Sequence, residues 1–398
     1  MNKRIHPALA VTSLMLLMLT LSGCWDREEL ENLALVISLG IDSLPGERVE
    51  VTAQIAIPTK LAAAASGGGG GGGEGAPVEV VTKSALSVPE ALEAINRVVN
   101  RRVSLAQNRM IIFGEESARK GLTRYISIIT RFREFRRTMQ IMVVKGRAKE
   151  IMALKPEIEK NPAEYLLDLV RTANYTAETE LVMVNDFVRA MEGLGQSPLA
   201  TYLIPPPKTG NGGPKQVQLG GVAVFRGDRM VGSFPAREVP ALRMLTGRFN
   251  ETFFSLPDPT SAGKRLVLQV TSAQPWITPV LSGERAAVKV RIKAEADLTG
   301  SETGKDYMSG GNEGKIEQAA ARIIAGQLRR VIERAQREFK ADSFGFGNYF
   351  RGKVPTWSAW VAFGWTKRFP EVPISVNVKV NLRRYGLQRE APIPHLGE

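Results

Sequence analysis

Residues 316–339 read IEQAAARIIAGQLRRVIERAQREF, and residues 374–382 read ISVNVKVNL. In the first stretch, apolar side chains recur every three or four positions, which is the pattern of a helix with one buried face. In the second stretch, apolar and polar residues alternate, as in a strand with one face in water. A long helix followed by such a strand predicts a helix packed on a mostly antiparallel sheet.

Similar patterns precede this pair. Residues 49–57 alternate in the same way, and residues 36–42, 78–83, 110–113 and 139–144 have the composition of short strands. Helices are predicted after the caps Ser87 and Asn161 and over residues 116–131. Further on, residues 221–234 predict a hairpin, and residues 266–271 and 288–296 predict strands. The sequence thus predicts an α+β fold with mixed, mostly antiparallel sheets, each flanked by helices.

Proline and glycine indicate several domains in this chain of 398 residues. The stretch PPPKTGNGGP at 205–214 predicts the main boundary. We predict a signal peptide at 1–23, an N-terminal α/β-mixed domain at 24–205, a linker at 206–214, a middle β-rich domain at 215–300 and a C-terminal helix-on-sheet domain at 301–398. Seven consecutive glycines, Gly67–Gly73, lie in a predicted flexible loop at 62–75, which lacks the Gly-Lys-Ser/Thr ending of a phosphate-binding loop.

The N-terminus predicts a lipoprotein. Residues 1–24 combine an early basic pair, an apolar run too short to span a bilayer, and a Leu21-Ser22-Gly23-Cys24 ending that resembles a bacterial lipobox. Cys24 would receive a diacylglyceryl group and become the mature N-terminus. Two acyl chains anchor a protein stably, whereas one holds it only marginally. We therefore expect a chain anchored to the extracytoplasmic face of the cell membrane, without a transmembrane domain once the signal peptide is removed.

Rare residues limit the chemistry. The chain has two histidines, His6 and His395, and one cysteine, Cys24. A Cys/His zinc site cannot be built from them, and a Ser-His-Asp triad could use only His395. We expect no enzyme activity, no catalytic residue, no metal site and no cofactor.

Positive charge is concentrated in one segment. The chain has a formal net charge of +13, and residues 97–147 hold thirteen Lys or Arg against three Glu. Such a run fits a lipid-headgroup or partner surface, or a solvated face with no partner. A nucleic-acid footprint is disfavoured, because an anchored chain would face away from the genome. The candidate membrane or partner surface comprises Arg101, Arg102, Arg131, Arg133, Arg136 and Arg137.

Several blocks together resemble the Ger(x)C family. They are Cys24-Trp25-Asp26-Arg27-Glu28-Glu29-Leu30 with Gly40-Ile41-Asp42, residues 108–116, residues 221–225, and Asp342-Ser343-Phe344-Gly345-Phe346-Gly347 with Trp357 and Trp365. The resemblance implies the lipid-anchored C subunit of a nutrient germinant receptor, acting in spore germination as a scaffold or transducer. It also implies partners, the integral membrane A and B subunits, and a place at the spore inner membrane. Only the acylation of Cys24 carries over as a residue role.

Two other functions remain open from the residues. A solute-binding lipoprotein of a transporter would need two α/β lobes with a ligand cleft between them. A lipid-anchored enzyme acting on the cell wall would have to use carboxylates, because the sequence offers one near-terminal histidine. Neither alternative explains the ordered series of blocks.

Overall fold

The fold is taken from a computed structural model of the chain. It describes residues 32–57, 78–207 and 216–384, apart from 133, 155, 157, 158, 160, 284, 304, 306 and 308–310, together with positions 11, 12 and 15. The predicted lipobox with Cys24, the glycine loop and Arg133 lie outside the described residues.

Nine strands form the first sheet. Their bounds are β1 Leu33–Ser43, β2 Val49–Ala56, β3 Val78–Ala85, β4 Arg102–Ser104, β5 Met110–Gly114, β6 Gln140–Val144, β7 Leu199–Ile204, β8 Gln218–Arg226 and β9 Arg229–Phe234. Eight lie in the order β3-β2-β1-β5-β6-β7-β8-β9, and β4 pairs with β1 off this path. The central strands β1, β5, β6 and β7 are parallel, and antiparallel strands extend the sheet at both ends.

Six helices accompany this sheet. They are α1 Val88–Asn96, α2 Glu115–Lys120, α3 Thr123–Arg131, α4 Ala148–Met152, α5 Pro162–Tyr175 and α6 Val184–Gly193. Alternate residues of β5 enter two different clusters: Ile111 packs with α1 and α3, whereas Ile112 packs with α4 and α5. Both faces of the sheet centre are therefore buried, as the continuous apolar run of β5 requires.

The second sheet has four strands, and one long helix packs on it. The elements after β9 are α7 Val239–Thr246, β10 Thr252–Pro257, β11 Arg265–Ser282, β12 Arg285–Ser301, α8 Asn312–Arg334, α9 Phe346–Arg351, α10 Trp357–Phe363, α11 Trp365–Arg368 and β13 Ile374–Arg384. The strand order is β10-β11-β12-β13, with β13 parallel to β12 and the other pairs antiparallel. Helix α8 packs against β13, as the opening two stretches predict.

The predicted fold class is confirmed. Both sheets are mixed and carry helices, and six of the eleven strand pairings in the described residues are antiparallel. No helix in the described part of the chain combines the length and apolar character that a bilayer crossing requires.

The division into domains stays a prediction, but strand pairing crosses two of its boundaries. β8 and β9 follow the predicted linker at 206–214 and yet complete the first sheet, because β8 pairs with β7 and β9 pairs with β8. β12 ends at the predicted boundary near residue 300, and yet it forms a parallel pair with β13, which lies well beyond that boundary. Proline and glycine in the sequence thus do not show which sheet the next strand joins.

The predicted single helix over 116–131 is wrong, because the chain forms two helices there. Gly121 separates α2 from α3 with φ at 120°, a conformation that side chains on other residues rarely adopt. Asp228, at the turn between β8 and β9, accepts hydrogen bonds at its carbonyl from Leu122 N (3.0 Å) and at its carboxylate from Thr123 N (3.1 Å). The first turn of α3 is therefore capped by a residue distant in sequence.

The strands predicted at 266–271 and 288–296 are much longer than expected. β11 has 18 residues and β12 has 17, and together they form one long hairpin. Pro275 and Pro279 obscure the strand pattern after residue 271. They are tolerated because β10 pairs only with residues 265–270, which leaves the rest of β11 as an edge.

A buried carboxylate organises the turn before α9. Asp342 accepts hydrogen bonds from the backbone N–H groups of Phe344 (3.0 Å), Gly345 (3.0 Å) and Gly347 (2.9 Å), and from Trp365 Nε1 (2.8 Å). Its own carbonyl accepts from Ser197 N, in the segment that leads into β7. The turn is therefore attached to the first sheet.

Aromatic side chains pack around this turn. Of the nine aromatic residues at 344–369, six are buried: Phe344, Phe346, Phe350, Trp360, Trp365 and Phe369. The rings of Phe350 and Trp365 stack with centroids 4.8 Å apart. This cluster belongs to the hydrophobic core, so it does not offer an open stacking platform for sugars or bases.

Gly347 allows the Trp365 ring to approach the turn. A Cβ atom at position 347 would lie 2.4 Å from the Trp365 ring and 2.7 Å from the carbonyl oxygen of Gly195. Gly347→Ala should therefore lower the free energy of unfolding by about 1–3 kcal/mol, because ring and backbone must move apart. Gly352→Ala is the matched control: nothing lies within 4 Å of that position, and its φ of −67° suits alanine. Equal urea midpoints for the two variants would show that the contact at Gly347 is unimportant.

The stability contribution of Asp342 should depend on pH. Burial raises the pKa of Asp342 to about 6, against the lowering effect of its hydrogen bonds. The folded state then binds more protons than the unfolded state between pH 4 and 6. The contribution of this carboxyl to the free energy of unfolding is therefore greatest in acid and falls as the pH rises through 6. Relative to Asp342→Asn, the free energy of unfolding of the parent chain should fall by about 2 kcal/mol from pH 4 to 7. A difference that grows with pH in denaturant titrations would mean that the hydrogen bonds outweigh burial.

Candidate functional surface at the amino edge of the first sheet

The parallel strands of the first sheet bring the basic segments together. β1, β5 and β6 are parallel, so the chain that precedes each of them meets at one edge, which we call the amino edge. At this edge Arg109 N donates to the carbonyl of Ile37 (3.1 Å), and Gln140 N donates to the carbonyl of Arg109 (2.9 Å). The loops at 97–109 and 132–139 therefore lie side by side.

β1 also begins at this edge. Leu33, its first residue, lies in register with Arg102 in the parallel pairing of β1 with β4. Cys24 is only nine residues before Leu33. The covalent chain can span at most about 3.6 Å per residue, so nine residues reach about 30 Å. A group that binds Cys24 would therefore lie within about 30 Å of the first residue of β1 at the amino edge.

Glu134 joins the two basic loops. Its carboxylate lies 3.8 Å from the Arg102 guanidinium and accepts a hydrogen bond from Leu105 N (3.4 Å). The loop continues past Glu134 with backbone hydrogen bonds from Met139 N to Arg136 O and from Asn185 N to Arg137 O. These bonds fix the loop backbone and leave its arginine side chains exposed.

The predicted site residues are thus largely placed together. The structure describes five of them, all exposed, and we call this set the amino-edge basic surface: Arg101, Arg102, Arg131, Arg136 and Arg137. Phe132 lies in the same loop and is 45% exposed, with its ring edge against buried Phe135. An exposed aromatic ring among arginines was not predicted, although its position between Arg131 and the next basic residues is visible in the sequence.

Several other basic residues of 97–147 have acidic partners. Lys120 pairs with Glu116 (2.7 Å), Arg124 pairs with Glu47 (2.6 Å), and Arg109 pairs with Glu164 (2.5 Å). Arg119 and Arg147 pair with Glu115 and Glu50 in the same way. The charge run is therefore not one surface: part of it is neutralised locally, and the amino-edge basic surface is the part that remains largely unneutralised.

The opposite, carboxyl edge of the sheet is closed by its own contacts. Asp42, the last residue of the Gly40-Ile41-Asp42 block, accepts hydrogen bonds from Ala148 N (2.8 Å) and Lys149 N (3.0 Å) at the start of α4. Burial raises the pKa of this carboxyl against those two hydrogen bonds. A Cβ atom on Gly114 would lie 2.2 Å from the Asp42 carboxylate. This carboxylate therefore caps a helix and has no open space beside it for a ligand.

Two domain profiles match the chain. "Spore germination protein N-terminal domain" matches residues 26–205, and "Spore germination B3/GerAC like, C-terminal" matches residues 220–386. The chain belongs to the Ger(x)C family. Two relatives in Bacillus subtilis (strain 168) cover nearly the whole chain: "Putative spore germination protein YfkR" is 24% identical over 94% of this chain and 95% of its own length, and "Spore germination protein KC" is 24% identical over 98% of each.

A solved structure supports the fold of this family member. "Crystal Structure of the GerBC protein" aligns with a TM-score of 0.54 at 16% sequence identity, over 90% of this chain and 99% of that one. At this identity the similarity shows the fold alone. The first family profile ends at residue 205 and the second begins at residue 220, on either side of the proline-glycine stretch. The first sheet nevertheless includes strands from both sides of that stretch.

Two cavities lie where the C-terminal aromatic turn meets the first sheet. One of about 400 Å³ is lined by residues that include Arg189, Gln196 and Asn348, and one of about 340 Å³ lies beside Pro198 and Asp342. These volumes are at the small end of ligand pockets. The described residues contain no group of three or more potential metal ligands. The carboxylates of Glu115 and Glu116 pair with different cations and do not face one cleft.

Proposed function

We propose that this chain is the lipid-anchored C subunit of a nutrient germinant receptor and that it acts without catalysis, as a scaffold or transducer. Its partners are two integral membrane subunits, A and B, and it lies on the extracytoplasmic face of the spore membrane. Membership of the Ger(x)C family supports a role in spore germination. The names of the relatives, all spore germination proteins, point in the same direction.

One observation carries the membrane part of this proposal. The strand that follows the predicted anchor begins beside Arg102, at the amino-edge basic surface. A tether of nine residues from Cys24 would keep that surface within about 30 Å of the bilayer. An exposed Lys or Arg near anionic headgroups contributes about 1 kcal/mol, and an exposed aromatic ring favours the interface. Anchor and surface would therefore act on the same membrane.

Cys24→Ala tests the anchor. In a spore-forming host, the parent chain should partition with membranes and carry a mass increase from a diacylglyceryl group on Cys24, because only a cysteine thiol forms that thioether. The variant should be released into the soluble fraction, and nutrient-triggered germination through this receptor should be lost or strongly slowed. A variant that is soluble and germinates normally would contradict the proposed role.

Removing charge from the amino-edge basic surface should weaken membrane contact. In the unacylated Cys24→Ala chain, Arg131→Ala, Arg136→Ala and Arg137→Ala together should lower the affinity for phosphatidylglycerol vesicles roughly tenfold to a hundredfold at low salt. The matched control removes three exposed cations from the outward side of α8: Lys315, Arg322 and Arg329. Equal loss in sedimentation assays of both variants would show a net-charge effect and would contradict a membrane-facing surface.

A further inference from the structure

The outer face of the second sheet carries a cluster of positive charge that the proposed anchoring does not use. Side chains on neighbouring strands that lie in register point to the same face. Trp276 lies opposite Arg291, Thr278 lies opposite Lys289, and Lys293 lies between Gln274 and Lys379. We call Trp276 and these four cations the basic sheet face; its members are Trp276, Lys289, Arg291, Lys293 and Lys379.

These cations are only partly balanced by nearby acids. Among the described residues, none of the four forms an ion pair within 4.0 Å. Glu295, the neighbouring acid along β12, is held by Arg383, and its pKa is lowered by the Arg383 guanidinium and, to a smaller extent, by Lys293. Lys293 and Lys379 lie directly opposite each other, an arrangement of like charges that destabilises a sheet. An ordinary solvated face would mix charges of both signs.

The face also contains a groove with an aromatic wall. A shallow cavity of about 350 Å³ is lined by Trp276, Arg291, Lys293, Asn377 and Lys379, together with Ile292, which lies between Arg291 and Lys293 in β12. Trp276 is 47% exposed, so about half of its surface rests on its neighbours. A membrane-inserting aromatic residue would protrude from a convex surface. A tryptophan in a groove wall instead suits a side chain of another protein.

We propose that the basic sheet face docks an acidic, aromatic-containing segment of a partner protein. Carboxylates of the segment would neutralise the four cations, and an aromatic or apolar side chain would pack against Trp276. Asn377 and Gln274 lie between the cations and can hydrogen-bond to the backbone of such a segment. The core face of the sheet is already covered by α8, so docking requires no rearrangement of the core.

The test uses the full chain and a fluorescein-labelled peptide of repeated Glu-Glu-Tyr units. The first variant combines Lys289→Gln, Arg291→Gln, Lys293→Gln and Lys379→Gln. The matched control removes four exposed cations from α8, through Lys315→Gln, Arg322→Gln, Arg329→Gln and Arg330→Gln. Trp276→Ala is a separate variant that changes no charge. Fluorescence anisotropy gives the affinities, and vesicles of phosphatidylglycerol and phosphatidylcholine are titrated in parallel.

The parent chain and the α8 control should bind the peptide equally. The first variant should bind roughly tenfold to a hundredfold more weakly, and Trp276→Ala about tenfold more weakly. Binding should also weaken steeply with salt. Equal losses in the two charge variants, or no loss in Trp276→Ala, would overturn the proposal. If vesicle binding and not peptide binding depends on these residues, the face meets a membrane and the proposal is wrong.

Discussion

The attachment of the C-terminal aromatic turn to the first sheet depends on one buried carboxylate. An ionised carboxyl away from water is costly unless donors surround it, and Asp342 has four N–H donors. Three of them are backbone groups of residues 344–347, so satisfying the carboxylate also fixes the path of that turn. The fourth is the indole of Trp365, which thereby seals the site. Ser197 N then binds the Asp342 carbonyl, and Trp360 Nε1 donates to Gly193 O (3.3 Å), so both contacts reach one segment before β7.

Local patterns could be predicted from the sequence, whereas contacts between residues distant in sequence could not. The strand at 374–382 has one partly exposed face, and its alternation shows this directly, because exposed positions favour polar residues. The alternation at 49–57 predicts the same arrangement and is wrong there, because Glu50, Thr52 and Gln54 are buried together with the apolar residues of β2. The Asp342–Gly347 block could be identified only as a family resemblance, since its partners Trp365 and Ser197 are distant in sequence. The break at Gly121 was missed for the same reason, because the capping group of the second helix belongs to Asp228.

The basic segment shows why charge runs are difficult to interpret from sequence. Its thirteen cations look alike, yet Arg124 reaches Glu47 and Arg147 reaches Glu50, on the loop and strand that follow β1. The sequence cannot show these pairs, because they depend on parallel strands that bring distant loops to one edge. The same pairing order assembles Arg101 and Arg102 with Arg131, Arg136 and Arg137. Sheet topology therefore decides which cations remain available to a partner.

The two basic regions differ in shape, and shape determines what each can contact. The amino-edge basic surface consists of loops with an exposed phenylalanine and lies where the chain from Cys24 enters the fold, which suits a flat, fluid bilayer. The basic sheet face lies on rigid strands around a groove, and its charges are held in fixed register by β11, β12 and β13. Fixed spacing is of little use against mobile lipid headgroups but gives specificity toward a chain with fixed carboxylates. A subunit that must hold both a membrane and a protein partner would need these two kinds of surface.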